Sequence, residues 1–127
     1  MTMPNERTRA LRWGYEVLQQ ICEDHSVTGD QRSEAAELLL AYPPPAEVAL
    51  WIQEDVASIP LPAAIAIERM SELLQIMNHQ STISPELRRR IRFTHRHHPQ
   101  PGDAERWAVA HHGLPIRIWL LPEDWHG

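Results

Sequence analysis

Lysine is absent from this 127-residue chain, so all 12 of its basic side chains are arginines. Every cation is therefore a permanently charged planar fork, suited to carboxylates, phosphates and aromatic faces. A GC-rich genome is enough to account for the bias. Cysteine occurs once, as Cys22, which excludes an intramolecular disulfide and a cysteine-based zinc site. No apolar run approaches the ~18 residues that a membrane-crossing helix needs. Residues 1–7 contain no apolar core of a secretory leader, and with the lone thiol this points to a cytoplasmic protein. Glycine is scarce, at five residues, and no phosphate-cradling glycine loop or nucleophile elbow is present. Hydrophobic residues nevertheless make up 43% of the chain, which is the composition of a folded domain. The length allows one such domain.

Five segments carry helical patterning. In the first, about 5–24, Leu11, Gly14, Leu18 and Ile21 share a face. The second, about 29–41, opens on Thr28-Gly29-Asp30-Gln31, which has the form of a capping box, and ends at Tyr42-Pro43-Pro44-Pro45. The third, about 46–57, places Val48, Ile52 and Val56 on one side. The fourth, about 63–78, is strongly apolar and is expected at the centre. The fifth, 85–97, has Ser84 as N-cap, Pro85 at its first position and Glu86 against the positive helix end. It stops at His98-Pro99. In the tail, Trp107–His111 and Pro115–Leu121 read as two strands joined at His112-Gly113-Leu114, so residues 104–127 are expected to form a short β-hairpin packed on the helices. Trp107 and Trp119 would pin it there, and Trp125 is either frayed or docked. The fold class expected is mainly α, with five helices and this hairpin.

A shift of 56 positions aligns two parts of the chain without a gap. Glu16-Val17-Leu18-Gln19 meets Glu72-Leu73-Leu74-Gln75, Thr28 meets Ser84, Arg32 meets Arg88, and Pro43 and Pro45 meet Pro99 and Pro101. This reads as an internal repeat, roughly 5–47 and 61–103, of a helix–loop–helix unit that buries its apolar face against its own copy. The segments Glu6-Arg7-Thr8-Arg9-Ala10-Leu11-Arg12-Trp13 and Leu38–Pro43 resemble a family of small proteobacterial proteins. Those open with an ERTRAL-type helix and close a second helix on a His/Tyr-Pro pair. Pro85–Arg90 with His97-His98-Pro99 is similar to that family's second helix. The resemblance covers the helical pairs and not the tail after Gly102. It implies a bacterial source and brings no activity with it.

The net charge of −5 is unevenly spread. Residues 1–68 hold 4 Arg and 11 acids, a net −7, while residues 69–98 hold 6 Arg and 2 acids, a net +4. The second helix carries Asp30, Glu34 and Glu37; the fifth carries Arg88, Arg89, Arg90, Arg92 and Arg96. Arg88, Arg92 and Arg96 recur at four-residue spacing and so share a face, beside the apolar Leu87 and Ile91. Such a face is a solvated surface, a protein-partner surface, or a nucleic-acid surface. A helix–turn–helix would need a shorter, glycine-containing turn than Asn78–Ile83, and the acidic total opposes phosphate.

Six of the eight histidines follow residue 94. His95 and His98, three apart, have a chelating spacing, but there is no HExxH pattern and no carboxylate at a diagnostic distance. These histidines would change the charge of this region between about pH 5 and 7. Cys22, on the apolar side of the first helix, reads as a core residue. No catalytic residue, cofactor or metal follows from these patterns. The expected function is a non-enzymatic, cytoplasmic protein-binding adaptor or an inhibitor of the immunity type. Its contact residues are Arg88, Arg89, Arg92, Arg96, Asp30, Glu34 and Glu37, and its partner is another protein or a second copy in a homodimer. The alternative is a nucleic-acid-binding regulator using helix 85–97.

Overall fold

Proline sets the helix starts in this chain. It stands in the first turn of α1 (Pro4–Glu23), α3 (Pro45–Glu54), α4 (Leu61–Met77) and α5 (Pro85–His97), where its fixed φ suits the helix and its missing N–H costs no bond. α2 (Gly29–Leu39), and α5 in addition to its proline, are capped by hydroxyls. Thr28 Oγ1 accepts from the Gln31 amide at 3.2 Å, and Ser84 Oγ from the Leu87 amide at 3.4 Å. The computed structural model describes residues 2–109 and 115–126. It is mainly helical, 67% of residues, and adds a short α6 (Asp103–Ala108) and one turn of 3-10 helix at Ile116–Ile118. No helix among the described residues is long and apolar enough to cross a membrane.

Helices α1, α2, α4 and α5 close a ring in which each packs on two neighbours: α1 on α2 and α5, α4 on α2 and α5. The ring interior is filled by Leu11, Leu18 and Ile21 from α1, Leu38 from α2, Met70, Leu73, Leu74 and Met77 from α4, and Leu87 and Ile91 from α5. α4, expected at the centre, is one of the four ring helices, with α6 packed along its other side. α3 touches α1 and the 3-10 turn. At one end of the ring the α1–α2 turn is latched to the start of α5. Ser84 Oγ donates to Asp24 Oδ2 and the Ser84 amide to Ser26 Oγ, both at 2.8 Å.

At the other end two residues that terminate helices turn inward. Tyr42 follows α2 and His98 follows α5; both precede a proline and both are buried. The Tyr42 hydroxyl donates to the Leu11 carbonyl oxygen at 2.8 Å, which leaves it to accept from His98 Nε2 at 3.3 Å. The rings stack with centroids 6.4 Å apart. A Cβ at Gly14 would overlap the Tyr42 hydroxyl oxygen, so this position of α1 has to be glycine for α2 to end where it does.

The expected hairpin is absent: the described part of the tail contains no strand, and the anticipated turn at His112-Gly113-Leu114 lies outside the described residues. Asp103–Ala108 is helical because Glu68 of α4 accepts from the amides of Gly102 at 2.9 Å and Glu105 at 3.3 Å, placing a carboxylate at the start of α6. Trp107 is then buried, 6.2 Å from the Trp119 ring. In the second expected strand the alternation of Ile116 and Ile118 is misleading. Ile116 and Leu120, four apart, are the buried pair, and Ile118 is exposed. The two tryptophans therefore pin a helical turn, and not a hairpin, to the bundle.

His98 makes an acid-sensitive element of this core. Burial pushes its imidazole down to about 3 from an ordinary 6.5, which removes it from the histidines expected to titrate near neutrality. The unfolded chain takes up a proton near pH 6.5 that the folded chain refuses until about pH 3, so the fold is at full strength above that window and weakens through it as pH falls. The slope expected from one such group is about 1.4 kcal/mol per pH unit. Chemical denaturation of His98→Gln across the window should show a shallower dependence by about that amount. An unchanged slope would mean that the imidazole protonates within the fold.

Candidate interaction face

α5 buries Leu87, Ile91 and Thr94, continued by His98, and this decides which of its arginines can reach solvent. One edge meets α4, where His95 Nε2 lies 2.8 Å from Gln75 Oε1. The other meets α1, where His97 lies 3.2 Å from both Thr2 Oγ1 and Glu6 Oε2. The outward stripe is Arg89, Arg92 and Arg96, all exposed, while Arg88 is half-buried. The face expected from the spacing of Arg88, Arg92 and Arg96 is thus rotated by part of a turn, because the buried stripe passes between Leu87 and Ile91.

Aromatic rings lie among these cations. Phe93 is 45% exposed, and the Arg96 guanidinium lies 5.7 Å from its ring centroid. Across on α1, the Arg9 guanidinium stands 6.0 Å from the half-buried Trp13 ring. Between the helices runs a groove of about 260 Å³, with Trp13 and Phe93 in its walls and Arg12 and Arg90 at its edges. Arginine over an aromatic face keeps both its charge and its apolar contact, an arrangement stronger than either alone when water is excluded. Sequence reasoning missed the α1 half of this face. The signals were present as Arg9 and Trp13 at i, i+4 and Phe93 and Arg96 at i, i+3, the spacings at which helix side chains meet.

No carboxylate among the described residues lies within ion-pair distance of Arg88, Arg89, Arg90, Arg92 or Arg96. Four acids, Glu16, Glu34, Glu37 and Glu123, are engaged by arginines elsewhere. Glu34 and Glu37 face Arg69 of α4 at 4.0 and 3.3 Å, leaving Asp30 as the exposed acid of that trio without such a partner. α2 and α5 occupy opposite corners of the ring, so the acidic and basic residues singled out in the sequence are not brought together. Arg12 is held by the tail: Nε and Nη2 each donate to Glu123 at 2.8 Å, Nη1 donates to Glu16 at 3.2 Å, and Arg9 approaches Glu123 at 3.7 Å. The hydrogen bonds from Arg12 hold the Glu123 carboxyl below its usual range.

The possible metal ligands separate. His98 turns into the core and His95 toward Gln75, and no group of three or more His, Cys, Asp or Glu with metal-binding geometry occurs among the described residues. Cys22 is half-buried, and burial, reinforced by Glu23, raises its thiol pKa, the opposite of what activates a nucleophile. Comparison with protein-family models, with characterised proteins and with solved structures finds no match to this chain.

The tie between Arg12 and Glu123 should be measurable. A double-mutant cycle with Arg12→Gln and Glu123→Gln is expected to give a coupling of about 1 kcal/mol near neutral pH, since bidentate geometry raises a partly exposed pair to the top of its range. The coupling should vanish in acid as Glu123 takes up a proton. A value of zero at neutral pH would mean that the tail does not rest on α1 in solution.

Proposed function

We propose that the chain is a small cytoplasmic binding protein, an adaptor or inhibitor, whose α5–α1 face docks on an acidic surface of a protein partner. One observation carries this reading: five arginines on α5 lack any carboxylate partner among the described residues, although the chain has 17 acids and a net negative charge. Exposed arginines interleaved with a half-exposed phenylalanine and a flanking tryptophan have the composition of interface anchors. An acidic partner would supply the missing carboxylates and cover Phe93. A second copy offers less, because Glu34 and Glu37 are engaged with Arg69. The helix order α1-α2-α3 followed by α4-α5-α6 supports the reading of an internal repeat, as do the caps at Thr28 and Ser84 and the contact of Tyr42 with His98, its counterpart 56 positions on. On that reading the binding face is mostly a property of the second copy. The family resemblance adds a proteobacterial setting and no activity.

Affinity capture from a bacterial host, followed by mass spectrometry, is the test. The wild-type chain should retain an acidic protein that the Arg92→Glu/Arg96→Glu variant loses. In titrations with that partner, Arg96→Ala should weaken binding about tenfold. Retention by both forms alike, or retention abolished by nuclease, would overturn the reading, and the second result would favour a nucleic-acid regulator acting through the same helix. Light scattering in low and high salt should give the monomer mass throughout; a dimer that dissociates in salt would make the chain its own partner.

A further inference from the structure

A second cavity of the described structure is lined by none of the arginines of the stripe. It measures about 500 Å³ and is bounded by α1, α3 and the tail, within the ~300–1,000 Å³ typical of small-molecule sites. α6 packs along α4, whereas α3 meets α1 over a smaller area, and the tail borders the space left between them. Val48, Ala49 and Ile52 of α3 and Leu121 and Pro122 of the tail line it, so its lining is largely apolar. Trp125 sits at the lip, 50% exposed, an apolar ring left in water where a bound molecule would cover it.

The charged groups of the cavity are one carboxylate and two arginines, of which Arg117 is exposed. Its lining includes Arg12, Arg117 and Glu123. Arg12 has each of its three guanidinium nitrogens engaged by Glu123 or Glu16. Arg117 is bound only by neutral oxygens: Nε donates to the Ile52 carbonyl at 2.9 Å and Nη2 to the Gln53 carbonyl at 3.1 Å. These bonds fix the guanidinium at the C-terminal end of α3 and leave Nη1 with no partner among the described residues. Asp55 accepts from the Arg117 main-chain amide at 3.1 Å and forms no ion pair with the side chain. A positioned guanidinium with a spare donor beside an apolar channel is the chemistry that holds one carboxylate on an apolar body.

We propose that this cavity binds a small amphipathic carboxylate, with its apolar body along Val48, Ala49 and Ile52 and its carboxylate on Nη1 of Arg117. This site is independent of the arginine stripe. The probes are decanoate, decanol and decyltrimethylammonium, each titrated below its micellar concentration by calorimetry and by tryptophan emission. Decanoate should bind one per chain, about tenfold more tightly than decanol, the margin expected of a charged hydrogen bond, and the cation should bind weakest. Ala49→Trp starts from an exposed position and fills the cavity, so it should abolish decanoate binding while circular dichroism and melting stay as in wild type. Arg117→Gln should bring decanoate down to the level of decanol, and Trp125→Phe should remove most of the emission change. The Arg92→Glu/Arg96→Glu variant should bind decanoate as wild type does, which separates this site from the protein-binding face. Equal binding of all three probes, non-saturable uptake, or undiminished binding by Ala49→Trp would overturn the proposal. Should Arg117→Gln prove poorly folded, Ala49→Trp and the head-group series decide alone.

Discussion

Tyr42 and His98 meet beneath the surface, and the arrangement of three helices follows from how they satisfy one another. A buried hydroxyl and a buried imidazole each need a partner in place of water. Tyr42 finds the Leu11 carbonyl and His98 Nε2; His98 finds Tyr42 through Nε2, while its Nδ1 is buried without a partner among the described residues. The bond to Leu11 sets the end of α2 against the middle of α1, and Gly14 makes the approach close enough. The bond to His98 sets the end of α5 against the same point. Pro43 and Pro99 contribute by stopping their helices, so that the preceding residue leaves the helical path and its ring turns inward. With His98 inside, the residues of α5 that lie above it, Thr94, Ile91 and Leu87, are inside as well. The outward position of Arg89, Arg92 and Arg96 is therefore a consequence of core packing at the far end of their own helix.

Charge is distributed by the same geometry. The ring order places α2 next to α4 and opposite α5. Glu34 and Glu37 thus meet Arg69 and not the arginines of α5. The tail supplies Glu123, which reaches Arg12 and Arg9 on α1 and stops short of α5. A chain with more acids than bases ends with one strongly cationic helix face, because Glu16, Glu34, Glu37 and Glu123 are bound to arginines outside α5. Exposed pairs of this kind add little stability one by one. Their larger effect is to remove carboxylates that would otherwise neutralise the face that remains.

Much of the helical part was legible because its signals are local. Proline in the first turn, a hydroxyl at the N-cap and an apolar stripe at helical spacing act within a few residues of one another, and α5 runs over 85–97 as its signals predict. The tail was not legible. Asp103–Ala108 is helical because of Glu68, more than thirty positions earlier, and Ile116–Ile118 forms a turn because Ile116 and Leu120 both have a core to enter. Short segments carry too little periodicity to choose between strand and helix, and contacts distant in sequence decide. The proposed interaction face was half legible. Its arginines stand together in the sequence; Trp13 and Phe93, eighty positions apart, become neighbours only when α1 packs on α5.

By itself the sequence determined a mainly helical chain, the caps and stops of its helices, and the concentration of arginine in α5. Those properties depend on backbone dihedrals, local hydrogen bonds and composition, which neighbouring residues control. Tertiary structure alone decided which arginines face solvent, which acids are consumed internally, that His98 is a buried neutral ring, and that α1, α3 and the tail border a cavity. Each of these depends on the distance between residues far apart along the chain. Only the closing of the ring sets those distances.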